Sequence, residues 1–279
     1  MPRTFKPPRR IVVKVGSAVL ARAGVLSRPC VRRLAADLNA CLRADTKRRA
    51  VLVSSGAIAS GFRALGLNKR PMTIADKQAA AAVGQPRLMA EYAAAFSRLR
   101  PSRTLAQVLL TSDDLQDPDR FLNARHTLER LLVAGVVPII NENDSVSFEE
   151  IKLGDNDRLS SLMAGLVEAD LLIMLSSVPG VCRAGTFGKS TAPEVVPVIH
   201  SLEEALSHAA PSVSDVGTGG MANKVTAACR AAARGIGVVI ADGSMDDVVQ
   251  RVVAGEEVGT YFPPVKPTQR RSSRRRGVS

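Results

Sequence analysis

The chain has 279 residues, 46% hydrophobic and 23% charged, a mix that excludes a disordered polymer and suits an α/β domain of ordinary size. Its formal charge is +12, but ten of the 38 basic residues lie in residues 1–10 and 266–279, which hold no acid; the remainder carries 28 basic against 26 acidic residues, a net of +2. Aromatics are only 3% with no Trp, which argues against a base-stacking surface, and no apolar run reaches the ~18 residues of a membrane helix.

In chain order, β-branched apolar runs at 11–15, 51–53, 105–110, 136–140, 171–175 and 237–240 read as buried strands. Between the first two, Val31, Leu34, Ala35, Leu38 and Leu42 recur at helical spacing, with Ser27 as the expected cap ahead of Pro29. Further helices are expected near 77–98, 120–134, 157–168, 221–234 and 246–254. Gly84 and Pro86 should kink or split the first of these. Strand and helix alternate, so the expected fold is α/β with a mainly parallel sheet and helices on both faces.

Cys30, Cys41, Cys182 and Cys229 form no C-x-x-C pair, and His126, His200 and His208 form no cluster. The expectation is reduced thiols, mostly core fillers, without a zinc site or a Cys/His nucleophile.

In a parallel sheet, ligands collect at the carboxyl ends of the strands. Four segments there are rich in chemistry: Lys14-Val-Gly-Ser17, Ser54-Ser-Gly-Ala57, Asn141-Glu-Asn-Asp144 and Gly154-Asp-Asn-Asp157. A fifth, Gly217-Thr-Gly-Gly-Met-Ala-Asn-Lys224, opens a helix. Glycines at such turns expose backbone N–H groups to an anion, and a helix start adds its dipole. Phosphate is the natural guest, with Lys14 and Lys224 as point charges and Asp144, Asp155 and Asp157 to hold the lysines or help position Mg²⁺. Singly, each has a plain structural alternative: a tight turn at Ser55-Gly56, a helix cap at Asp157, turn formation by Asn141 and Asn143. A P-loop is rejected because Arg183 stands where Gly188-Lys-Ser-Thr191 requires a preceding glycine, and no dinucleotide fingerprint follows the first strand.

These blocks, together with Phe121-Leu-Asn-Ala-Arg125, resemble in order the glutamate 5-kinase family of the amino-acid kinase superfamily. The resemblance implies a three-layer αβα sandwich and ATP-dependent phosphorylation of the side-chain carboxylate of L-glutamate, the first step of proline biosynthesis, with ATP as co-substrate and Mg²⁺. It implies that Lys14, Asp157 and Lys224 are catalytic and that Ser55, Asp144 and Asn156 bind substrate. The nucleotide is assigned to Lys14, Ser176, Ser177, Thr218, Gly219, Gly220, Met221, Ala222, Asn223 and Lys224, and no side chain is assigned as a metal ligand. The expected partition is a basic lead-in over 1–10, a kinase domain over 11–265 and a basic flexible tail over 266–279, without the PUA domain many bacterial members carry. Implied too are a cytoplasmic homo-oligomer, dimer or tetramer, feedback inhibition by proline, and hand-over to a γ-glutamyl phosphate reductase, with neither membrane nor nucleic acid as partner. Ser176-Ser177 depart from the family's Thr-Asp, so weaker nucleotide contacts are expected there. Two rivals stand beside this reading: a superfamily member with another carboxylate, carbamate or phosphate acceptor, and a degenerate kinase fold whose basic tail binds nucleic acid.

Overall fold

The computed structural model describes residues 6–146, 156–183, 186, 193–209 and 220–265. Strand β1 (Arg10–Val15) leads into a short helix α1 (Ser17–Leu20) and a small hairpin, β2 (Ala21–Arg22) with β3 (Val25–Leu26). Helix α2 (Arg28–Ala44) and strand β4 (Arg49–Ser54) follow, then α3 (Ala57–Gly61), a single 3₁₀ turn (Phe62–Leu65) and the long α4 (Ile74–Ser97). Next come β5 (Leu105–Leu110), α5 (Ser112–Gln116), α6 (Pro118–Val133), β6 (Val137–Glu142), α7 (Asn156–Leu166) and β7 (Leu171–Ser176). The described chain ends with α8 (Leu202–Ala209), α9 (Gly220–Ala233), β8 (Gly237–Asp242), α10 (Val248–Val253) and β9 (Thr260–Phe262).

The main sheet has the order β5-β6-β4-β1-β7-β8-β9, parallel throughout except for β9 against β8. Alternation along β1 divides the core in two. Ile11, Val13 and Val15 join α2, α4 and α10 on one face; Val12 joins α6, α7 and α9 on the other. This is the expected αβα sandwich. The chain leaves β1 for β4 on one side and later returns to place β7 on the other, which opens a crevice at the carboxyl end of β1.

Helix α4 corrects an expectation. It runs unbroken for 24 residues through Pro86. Proline there denies the Ala82 carbonyl its helical partner, but the helix is not split at the gap in its ladder. Ideal Cβ atoms at Gly61 and Gly84 would sit 1.9 Å from the Ala80 carbonyl oxygen and 1.8 Å from that of Ala57. Helices α3 and α4 therefore touch backbone to backbone, and only glycine fits at either point.

A second correction concerns caps. Ser27 occupies the cap position of α2 without a side-chain cap bond. At α10, Asp247 makes no side-chain cap either, and the service comes from afar: the Asp37 carboxylate on α2 accepts from the Val249 and Gln250 amides at 2.8 and 3.1 Å. The four cysteines are free. No helix of the described residues is long and apolar enough to cross a membrane.

Candidate active site

Lys14 is the penultimate residue of β1, and the period of two turns it to the same side as Val12, toward α7 and α9. Those helices supply its partners. Asp157, in the first turn of α7, is fully buried and places Oδ1 2.5 Å from the Lys14 ammonium and Oδ2 3.0 Å from that of Lys224 on α9. Lys14 is 3% exposed. Burying an ammonium in a Val-rich strand is expensive unless a carboxylate meets it, and here one carboxylate meets two. Lys224 also reaches back to the Gly220 carbonyl at 3.4 Å. An ideal Cβ at Gly16 would lie 3.4 Å from the Lys14 ammonium, so the glycine after β1 sits directly against that charge.

Above the pair lies a cavity of about 270 Å³ lined by Lys14, Ser55, Asp144, Asn156 and Lys224, and also by Gly16, Ser17, Gly56, Arg70, Asn141 and Glu142. Five of the residues expected from sequence thus share one wall. Ser55 leaves β4 with its amide on the Val15 carbonyl at 3.0 Å, which ties the ends of β1 and β4 together. Gly56 then turns with φ +119°, a conformation that favours glycine, and starts α3. Asn156 donates to Ser55 Oγ at 2.6 Å and to Asn141 Oδ1 at 3.0 Å. Asp144 follows β6, and burial lifts its carboxyl from 3.8 to about 6.

Of the expected nucleotide residues, Lys14 and Lys224 line this cavity, whereas Ser176, Ser177 and residues 220–223 do not. Ser176 is buried at the end of β7 and Ser177 is exposed. Gly220, Met221, Ala222 and Asn223 form the first turn of α9 without lining the cavity. Thr218, Gly219, Gly154 and Asp155 lie outside the described residues. At about 270 Å³ the cavity falls below the ~300 Å³ at which drug-sized pockets begin.

Sequence reasoning missed Arg70 as a wall residue, and it named Gly16, Ser17 and Glu142 only as members of their strand-end segments. Arg70 sits in the turn region before α4, where no local pattern marks it. Of the three cations on the wall, Lys14 and Lys224 are committed to Asp157, whereas Arg70 has no carboxylate partner among the described residues.

Residues 9–242 match the family model of the amino acid kinase family. A glutamate 5-kinase from Myxococcus xanthus is 47% identical over 271 residues, covering 97% of this chain and 70% of that protein. One from Syntrophotalea carbinolica is 48% identical over 258 residues, 92% of this chain and 68% of the relative. The chain belongs to the amino acid kinase family, among its glutamate 5-kinases. The solved carbamate kinase from Giardia lamblia bound to AMP-PNP has the same fold, with a TM-score of 0.63 at 15% identity over 91% of this kinase and 98% of that chain. In this kinase the buried Lys14–Asp157–Lys224 bridge sits at the carboxyl end of the central strand.

Proposed function

We propose that this kinase transfers the γ-phosphoryl group of ATP to the side-chain carboxylate of L-glutamate, giving L-glutamyl 5-phosphate and ADP, the first step of proline biosynthesis. The observation that carries the reading is the Asp157 bridge, one lysine on each oxygen, beneath a small polar cavity.

A glutamate carboxylate, with pKa ~4.3, is ionised at neutral pH, so the nucleophile needs no general base. What remains is positioning and charge neutralisation. Asp157 fixes two ammonium groups on either side of one carboxylate, where they neutralise the γ-phosphoryl oxygens as charge shifts toward the leaving ADP. Ser55 and Asn156 hold the substrate, and Asp144 receives its ammonium group, which draws the Asp144 carboxyl back toward the ionised form. Arg70, on the same wall and without a carboxylate partner among the described residues, faces the α-carboxylate. The adenosine lies beyond the cavity, toward Ser176, Ser177 and the start of α9.

Among the described residues no three His, Cys, Asp or Glu side chains converge, and both Asp157 oxygens already serve lysines. These residues fit a Mg²⁺ that would arrive with the nucleotide, and Glu142 on the wall is the carboxylate that would help hold it. When bound, the ion neutralises charge on the β- and γ-phosphates.

Kinship with the glutamate 5-kinases supports further parts of the proposal: a homo-oligomer, feedback inhibition by proline and hand-over of the labile acyl phosphate to a γ-glutamyl phosphate reductase. A cytoplasmic home fits four free cysteines. Hydroxylamine trapping tests the reaction. With ATP and Mg²⁺, L-glutamate gives the hydroxamate while aspartate and N-acetylglutamate do not; hydroxamate from either of those in preference to glutamate overturns the assignment.

A further inference from the structure

The close approach of α3 and α4 has a chemical result at the residue after Gly84. Gln85 is 7% exposed, and its Oε1 accepts from Asn141 Nδ2 at 3.0 Å. Its Nε2 points the other way, to Gln107 Oε1 at 3.4 Å on β5. Asn141 Oδ1 in turn accepts from Asn156 Nδ2, which also donates to Ser55 Oγ. Four amides from α4, β5, β6 and α7 thus form one chain with a single polarity, in which Asn156, Asn141 and Gln85 each donate from NH₂ to the carbonyl oxygen of the next member, ending at Gln107. Turning over one amide alone would set NH₂ against NH₂ and oxygen against oxygen. At the cavity end, Asn156 Oδ1 is buried and has no hydrogen-bond partner among the described residues. A buried acceptor left open in this way is costly unless a ligand supplies the donor.

We infer that Gln85 is a positioning residue which, through Asn141, holds Asn156 with its carbonyl oxygen open to the substrate's α-ammonium group. Asn156 Oδ1 and Asp144 then recognise the ammonium together, so the amide chain discriminates an amino acid from a plain dicarboxylate. The inference rests on the glutamate reading above. Gln85 acts only through the orientation of Asn156 and touches no reacting atom. It sits in the middle of an Ala-rich helix and reaches the site only because two glycines let α4 approach α3.

The test compares kcat/KM for L-glutamate with that for glutarate, which lacks the ammonium group, in the full chain. Gln85→Met removes the acceptor for Asn141 and frees the amide chain to turn. It should raise the glutamate KM about tenfold, leave the ATP KM unchanged and lower the glutamate-to-glutarate ratio about tenfold. Gln85→Glu still offers Asn141 an acceptor, ionised or protonated, and should stay within about threefold of the parent ratio. If Gln85→Met does not fold, Gln107→Leu at the exposed far end carries the test, with a fall of about threefold. A ratio unchanged in the folded variants, or equal losses on both substrates and in Gln85→Glu, overturns the positioning role. A parent protein that turns over no glutamate refutes the underlying reading instead, so the two failures are distinct.

Discussion

At the scale of single residues, the site depends on charges whose surroundings set their behaviour. Asp144 is the clearest case. Its native carboxyl is raised to about 6 by burial, while the unfolded value is 3.8. Folding therefore takes up a proton between those pH values, and stability falls as pH rises from about 4 to about 6, with the full penalty present above 6. The ligand reverses the preference, because an ammonium group favours the ionised form. The glutamate KM should rise as pH drops below about 6, and Asp144→Asn should flatten that profile and raise the KM about tenfold or more at pH 7.5 without lowering the melting temperature. A KM that ignores both pH and substitution would remove Asp144 from the substrate site. Arg70 makes a separate prediction. Its guanidinium is exposed, so Arg70→Ala should leave folding intact and raise the glutamate KM several-fold with the ATP KM constant, as measured in steady-state assays.

At the scale of elements, apolar runs announced every parallel strand; the central ones are written as nearly continuous apolar segments because both faces are buried, while the edge strand β5 is only half-buried and exposes Gln107. The β2–β3 hairpin and β9 carried no such signal: two or three residues are too few for a period to show, and β9 is fixed by its pairing with β8. The same locality explains the site. Lys14, Ser55, Asp144 and Asn156 were legible as odd residues at strand ends and helix starts, whereas the contact of Gln85 with Asn141 and the place of Arg70 on the wall are tertiary features the local pattern does not encode. Helix α4 was expected to kink or split at Gly84 and Pro86; it does not split, and close contact with α3 offsets the local cost. The glycines should then be critical. Gly84→Ala places a Cβ 1.8 Å from a backbone oxygen and should destabilise by about 3 kcal/mol or more, above the usual range for overpacking because backbone cannot yield. Thermal or urea unfolding checks this; an unchanged midpoint would mean that α3 and α4 do not meet as described.

At the scale of the whole molecule, a formal charge of +12 suggests an acidic polymer as partner, but most of it belongs to the chain's two ends. The body is close to neutral, so the cations that matter are individual ones held against Asp157. Removing residues 266–279 should leave kcat and both KM values within about twofold; a large loss of turnover would assign the basic end a role in catalysis.

The αβα architecture gathers positions 14, 55, 144, 156 and 224 from across the sequence onto one wall, and the central claim is that the two lysines bridged by Asp157 transfer a phosphoryl group to glutamate. The most direct measurement is glutamyl hydroxamate formation by the parent protein and by Lys14→Met and Lys224→Met, each verified as folded by circular dichroism. The account predicts ready formation by the parent and a fall in kcat of about 100-fold or more in each variant. Undiminished turnover in either folded variant would contradict it.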